Sequence, residues 1–191
     1  MINLTEDRRE RNYVLFLTKA SENGIDGKKL DEVLGGKLKD ASFSTINENG
    51  TATPGSLLEI VLRIFTPYAM KVNDLLPESM RVNKASLVKV CLLQHISKAV
   101  RLIPNDNDWE KNNLNKTYKF RKENPCYGQG VHSIVLAGSA GVTFTEEESE
   151  AMLSYDKEHM DTEQMKSFAT RLSSIVRIAN DMTTMEIYNK R

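Results

Sequence analysis

Hydrophobic positions recur at helical spacing along most of this chain. Residues 6 to 21 set Tyr13, Val14, Phe16 and Leu17 among charges, the pattern of an amphipathic opening helix. Gly24 and Gly27 bracket a turn, and Leu30, Val33 and Leu34 mark a short helix that stops at Gly35-Gly36. Residues 40 to 53, rich in Ser, Thr, Asn and Gly, read as the first clear loop. From Pro54, well placed for a first turn, an apolar helix runs through Leu57, Leu58, Ile60, Val61, Ile64 and Phe65, and Pro67 is expected to end or kink it.

The helix predicted over 83 to 102 is apolar on most of its circumference (Leu87, Val88, Val90, Cys91, Leu92, Leu93, Ile96, Val100) and is expected to be the central, most buried one. Residues 104 to 126 change character. Asn, Asp and Lys dominate, interrupted by Trp109, Tyr118 and Phe120, and a loop or small hairpin is expected around 105 to 127. Gly128-Gln129-Gly130 precedes a helix through Ile134, Val135 and Leu136. Thr145-Glu146-Glu147-Glu148 is a capping box opening another, and Asp161-Thr162-Glu163-Gln164 resembles a second box before a long final helix. The expected fold class is mainly α, divided into an N-terminal helical segment, 1–40, and a main domain, 41–191.

Composition narrows the function classes. With 26 basic and 26 acidic residues the net charge is zero, so no footprint for nucleic acid or an anionic membrane appears. At 191 residues the chain is long enough to bury a core without disulfides, and its two cysteines, Cys91 and Cys126, sit in unlike contexts. No apolar run reaches a membrane span, and the charged N-terminus does not resemble a signal peptide. A cytoplasmic location, or a virion if the chain is phage-encoded, is the expectation. P-loop, Gly-x-Ser-x-Gly and Cys-x-x-Cys signatures are absent. Gly128-Gln129-Gly130 lacks the preceding strand and third glycine of a dinucleotide loop, and glutamates 146 to 148 suit a helix dipole better than acid chemistry.

One set of motifs points further. Val90-Cys91-Leu92-Leu93-Gln94-His95-Ile96-Ser97-Lys98 resembles the signature helix of HD-domain phosphohydrolases, in which an adjacent His-Asp pair grips a metal and a lysine follows. Thr53-Pro54-Gly55-Ser56-Leu57 is similar to that family's first element, with Gly55 where a His belongs. Asn124 to Ile134 resembles its Gly-His-Gly element, with Gln129 at the His. Tyr155 falls where a further His is expected. Ile178-Ala179-Asn180-Asp181-Met182 resembles the closing element, with Asn180 at the acid position unless the register slips to Asp181. The likeness spans roughly residues 50 to 185 and implies an HD-like helical bundle.

The same likeness implies an emptied metal site. Such a metal needs converging imidazole and carboxylate ligands with one position open to water. Gly55 has no side chain, Gln94 and Gln129 are neutral amides, Tyr155 would have to lose a proton with pKa near 10, and Asn180 has exchanged a charge for an amide. The expectation is a pseudoenzyme without cofactor or metal, its vestigial pocket formed by Gly55, Gln94, His95, Lys98, Gln129, Tyr155, Asn180 and Asp181. His95 is read as a hydrogen-bonded pocket histidine, His132 and His159 as solvent-exposed, and Lys98 as a snorkelling lysine at a helix end.

Trp109, Tyr118, Phe120 and Tyr127 are the candidate interaction surface. Stacking on nucleic-acid bases is the alternative use of such aromatics, and zero net charge favours protein partners instead. The expected function is therefore a non-catalytic structural or assembly protein, homo-oligomeric or part of a larger assembly, with a phage ring or connector as its specific form. Two alternatives stay open: a metal-dependent HD-type phosphohydrolase with a rearranged site using His95, His132 and Asp181, and a regulatory domain that binds a nucleotide without cleaving it.

Overall fold

The computed structural model describes residues 2, 4–125, 128–154 and 170–188. The chain is mainly helical with one two-stranded antiparallel sheet. Helix α1, Glu6–Glu22, starts at Thr5, whose hydroxyl accepts from the Arg8 amide, and carries Glu6 and Asp7 in its first turn. It buries Phe16 and Ala20. Helix α2, Gly27–Val33, is capped by Asp26 and stops at Gly35 and Gly36, both at positive φ (69° and 67°), where a side chain would be strained. Phe16, Ile25, Leu30, Leu34 and Leu38 from this opening stretch lie in the same buried cluster as Leu57, Phe65, Leu87 and Val90.

The helix after Pro54 passes through its proline. Helix α3 (Ser56–Ile60) widens into a π-helical turn over Val61–Phe65, then continues as α4 (Thr66–Leu75) with Pro67 in its first turn. Both the Thr66 amide and its hydroxyl reach back five residues to the Val61 carbonyl, the hydroxyl at 2.7 Å. The wide turn absorbs the hydrogen bond that Pro67 cannot donate, so the helix does not end there.

The expected single helix over 83 to 102 is divided. Helix α5, Lys84–Leu93, is capped by Asn83 and packs against α1, α4 and the later helices, the central place its apolar surface predicts. After Leu93 the chain tightens: the amides of Ile96, Lys98, Ala99 and Val100 each bond a carbonyl three residues back. A short helix α6, Lys98–Arg101, leads straight into strand β1, Leu102–Pro104. Strand β2 is Tyr118–Phe120, with Leu102 opposite Phe120 and Pro104 opposite Tyr118. The sheet thus begins earlier than 105, inside the stretch that sequence assigns to the helix. Helix α7, Asp108–Leu114, capped by Asn107, connects the strands.

Helix α8 spans Gln129–Ser139 and α9 spans Glu146–Leu153. The Thr145–Glu148 capping box forms with both of its reciprocal bonds. Glu148 also accepts from Lys89 at 2.7 Å, tying α9 to α5. The last described helix, α10, Arg171–Tyr188, buries Leu172, Ile175, Val176, Ala179, Thr183 and Ile187 against α4, α9 and α5. The capping box proposed at 161 to 164 lies outside the described residues. No helix among the described residues is long and apolar enough to cross a membrane.

Candidate functional site

The site grows from the break after α5. Gln94 is fully buried and His95 is 1% exposed, and the tight turn that carries them faces the middle of α10. There Asn180 joins them in a directional chain. The Gln94 amide donates to the Ala151 carbonyl at 3.0 Å, the Asn180 amide donates to Gln94 Oε1 at 2.8 Å, and Asn180 Oδ1 faces His95 Nε2 at 3.1 Å. With the Asn180 nitrogen engaged by Gln94, its oxygen is left to accept, which assigns the proton to His95 Nε2. A second set of bonds pins the turn to α8. Ser133 Oγ donates to the Gln94 carbonyl and accepts from the Ser97 amide, while Ser97 Oγ donates to the Gln129 carbonyl.

The electrostatics favour neutral groups. Phe43 and Phe65 stand edge-on to the His95 ring, each 5.3 Å between centroids. Burial, then the nearby Lys98 charge, pushes the imidazole pKa well below its ordinary value, against a smaller opposing pull from Asn180. Lys98 is 4% exposed, not snorkelling, because α6 turns it inward under the 42–45 loop. Its Nζ lies 3.5 Å from the Phe43 ring centroid, and burial lowers its pKa to about 7. Beside it lies a cavity of about 330 Å³, walled by Phe43, Ser44, Thr45, Lys98, Leu102, Phe120, Gln129, Asn180 and, further along α10, Thr183, Thr184 and Tyr188.

Gln94, His95, Lys98, Gln129 and Asn180 are therefore neighbours. Gly55 is placed differently: it precedes α3 at φ +80°, and a Cβ built there would sit 2.6 Å from Arg9 Cγ and 3.2 Å from the Lys39 carbonyl. Its glycine identity answers to that backbone and to α1. Asp181 is exposed while Asn180 turns inward, toward Gln94 and His95. His132 is buried, 9% exposed, against the expectation of solvent exposure, because the α8 face that carries Gly130 and Ser133 packs inward. Burial, then the Arg101 charge, lowers its pKa. Tyr155, Tyr127 and His159 lie outside the described residues.

Of the aromatic surface, Trp109 is 63% and Phe120 52% exposed, and Leu114 joins them at 49%. Tyr118 is half-buried, its backbone amide bonded to the Thr45 carbonyl, so the sheet rests on the 42–45 loop. Sequence reasoning missed Phe43, Ser44, Thr45, Thr184 and Tyr188. A signal for two of them existed: Asn180, Thr184 and Tyr188 recur every four residues on one face of α10.

The donor set does not fit a divalent metal of the HD type. The amide oxygens of Gln94 and Asn180 already face neighbouring N–H groups, both side chains are neutral, and His95 presents its protonated nitrogen to Asn180. Among the described residues no three His, Cys, Asp or Glu side chains gather as an ion would require. No family model, curated protein or solved structure matches the chain.

Proposed function

We propose that this chain is a non-catalytic structural or assembly protein on an HD-like helical scaffold. The observation that carries the reading is the closed amide–imidazole chain Ala151–Gln94–Asn180–His95. Where the resemblance calls for metal ligands, the Gln94 and Asn180 amides bond each other, the Ala151 carbonyl and His95 Nε2, so what they do is fix α10 and α9 to the turn after α5. The exposed Trp109, Leu114 and Phe120, on and beside the small sheet, supply contact surface of the kind protein partners use. The finer form of the reading is a homo-oligomeric ring or connector of a phage particle.

Light scattering on the purified chain, together with metal analysis and a phosphoester turnover screen, tests this. A defined oligomer that Trp109→Ala weakens, with neither stoichiometric metal nor turnover, is expected. Stoichiometric Mn, Fe or Zn with hydrolysis would replace the proposal by an enzyme with a rearranged site.

A further inference from the structure

The charges of the stretch that carries α7 and β2 are sorted along the chain. Asp106, Asp108 and Glu110 come first, then Lys111, Lys116 and Lys119, and Arg121 and Lys122 follow directly. The strand register turns that order into position. Pro104 stands opposite Tyr118 at one end of the sheet and Leu102 opposite Phe120 at the other. Asp106, Asp108 and Trp109 therefore lie beyond the first end, and Arg121 and Lys122 beyond the second.

Local ion pairs leave these two ends with opposite character. Lys111 and Lys119 reach Asp108 and Asp106, but the lysine side chains are only 36% and 29% exposed, whereas the two aspartates keep 84% and 81%. The outward member of each pair is the acid, and a carboxylate has lone pairs for more than one donor. Among the described residues no carboxylate pairs with Arg121 or Lys122. An exposed aromatic accompanies each end, Trp109 with the acids and Phe120 with the bases.

We propose that this face pairs with the same face of a second copy of the chain about a two-fold axis, Asp108 of each copy against Lys122 of the other and Trp109 against Phe120. A two-fold contact requires a patch that complements itself, and an acidic aromatic end opposite a basic aromatic end meets that condition. Three carboxylates around Trp109 oppose a phosphate backbone, which sets single-stranded nucleic acid aside as the occupant. Pro104 offers no N–H to an added strand, and the Tyr118 amide is already held by the Thr45 carbonyl, so side chains make the contact rather than a strand edge. The inference rests on the assembly reading and gives its contact a partner and a symmetry. A ring or connector would be built from such pairs through a second surface.

Trp109 is the chain's single tryptophan, so its fluorescence reports on this face alone. Over a concentration series of the full chain its emission should shift to the blue and resist iodide quenching as light scattering records an even number of copies. Asp108→Lys and Lys122→Asp should each weaken the pairing about tenfold or more, since the two-fold axis repeats every like-charge opposition. Mixed in equal amounts, the two variants should pair with each other about as well as the wild type, because opposite charges then meet at both contacts. Circular dichroism checks that each variant folds, and the wild-type series needs neither. A wild type that stays monomeric at every concentration would overturn this inference together with the assembly reading. An oligomer untouched by either variant would overturn this inference alone. So would weakening that mixing does not reverse, an assembly with an odd number of copies, or a monomer whose Trp109 emission is quenched by oligothymidylate.

Discussion

Removing either end of the Gln94–Asn180 hydrogen bond should cost more than the bond itself, because each side chain serves two partners. Gln94→Met strands the Asn180 amide and takes one of two donors from the Ala151 carbonyl, which keeps the Ser154 hydroxyl. Asn180→Leu strands Gln94 Oε1 and takes the Asn180 acceptor from His95 Nε2. Leaving a buried polar group unpaired costs about 1–3 kcal/mol. Gln94 and His95 have no access to water, whereas Asn180 is half-buried, so the first variant should lose about 1–3 kcal/mol and the second about 2–5 kcal/mol. The double variant removes only the Asn180 acceptor from His95 and one of two donors from the Ala151 carbonyl, since the two groups of the shared bond leave together. Its loss should fall short of the sum of the singles by at least about 1 kcal/mol. Urea unfolding followed by circular dichroism, with unchanged denaturant slopes, measures the cycle. Losses that add to within about 0.5 kcal/mol would show that the side chains do not form one network, and the argument from polar satisfaction would fail.

Three further outcomes follow from the same geometry. Gly55→Ala and Gly55→His should both destabilise the fold, by about 1–3 kcal/mol for the alanine, because φ is +80° and Arg9 occupies the space, and Gly55→His should gain no metal by calorimetric titration with Mn²⁺. Lys98 releases its proton near pH 7 when folded but near 10.5 when unfolded, so between those values the unfolded chain holds more protons and stability should rise with pH, by at most about 1.4 kcal/mol per unit. Lys98→Met should flatten that slope in urea unfolding between pH 7 and 9, and a slope that persists would refute the assignment. Burial alone would raise the Glu148 carboxyl, but bonds from Lys89 and the Thr145 amide outweigh it and hold its pKa below the usual value, so its stabilisation is present above about pH 4.5 and lost as pH falls. Glu148→Gln should therefore cost about 1–3 kcal/mol at neutral pH and reduce the acid sensitivity of the melting temperature.

What the sequence revealed and what it hid divide along the line between local and tertiary causes. The Thr145 capping box, the Gly35-Gly36 stop and the apolar circumference around Val90 are short-range signals, and each corresponds to an element of the fold. Pro67 carries a local rule too, but the π-helical turn over Val61–Phe65 supersedes it. The division of the helix at Gln94 could not be read locally. It depends on Ser133, which is 39 residues further along the chain, holding the Gln94 carbonyl.

Side-chain environments were hidden for the same reason. A lysine near a helix end ordinarily reaches water, whereas Lys98 is buried with its Nζ against the Phe43 ring of the 42–45 loop. His132 had no sequence signal for burial beyond Gly130 and Ser133 sharing its face of α8. Phe43 was a lone aromatic in a polar stretch, yet it touches both His95 and Lys98. The motif order brought Gln94, His95, Gln129 and Asn180 into view, while their mutual hydrogen bonds and the cavity wall from α10 needed the fold.

The central claim is that Gln94, Asn180 and His95 are neutral and bonded to one another. Nitrogen-15 spectroscopy of the His95 ring tests it most directly. A neutral imidazole protonated on Nε2, untitrated as the pH falls through the ordinary imidazole range and unmoved by added Zn²⁺ or Mn²⁺, is the predicted result. A ring that titrates near 6.5, or whose Nε2 resonance shifts or broadens on binding one equivalent of metal, would contradict it.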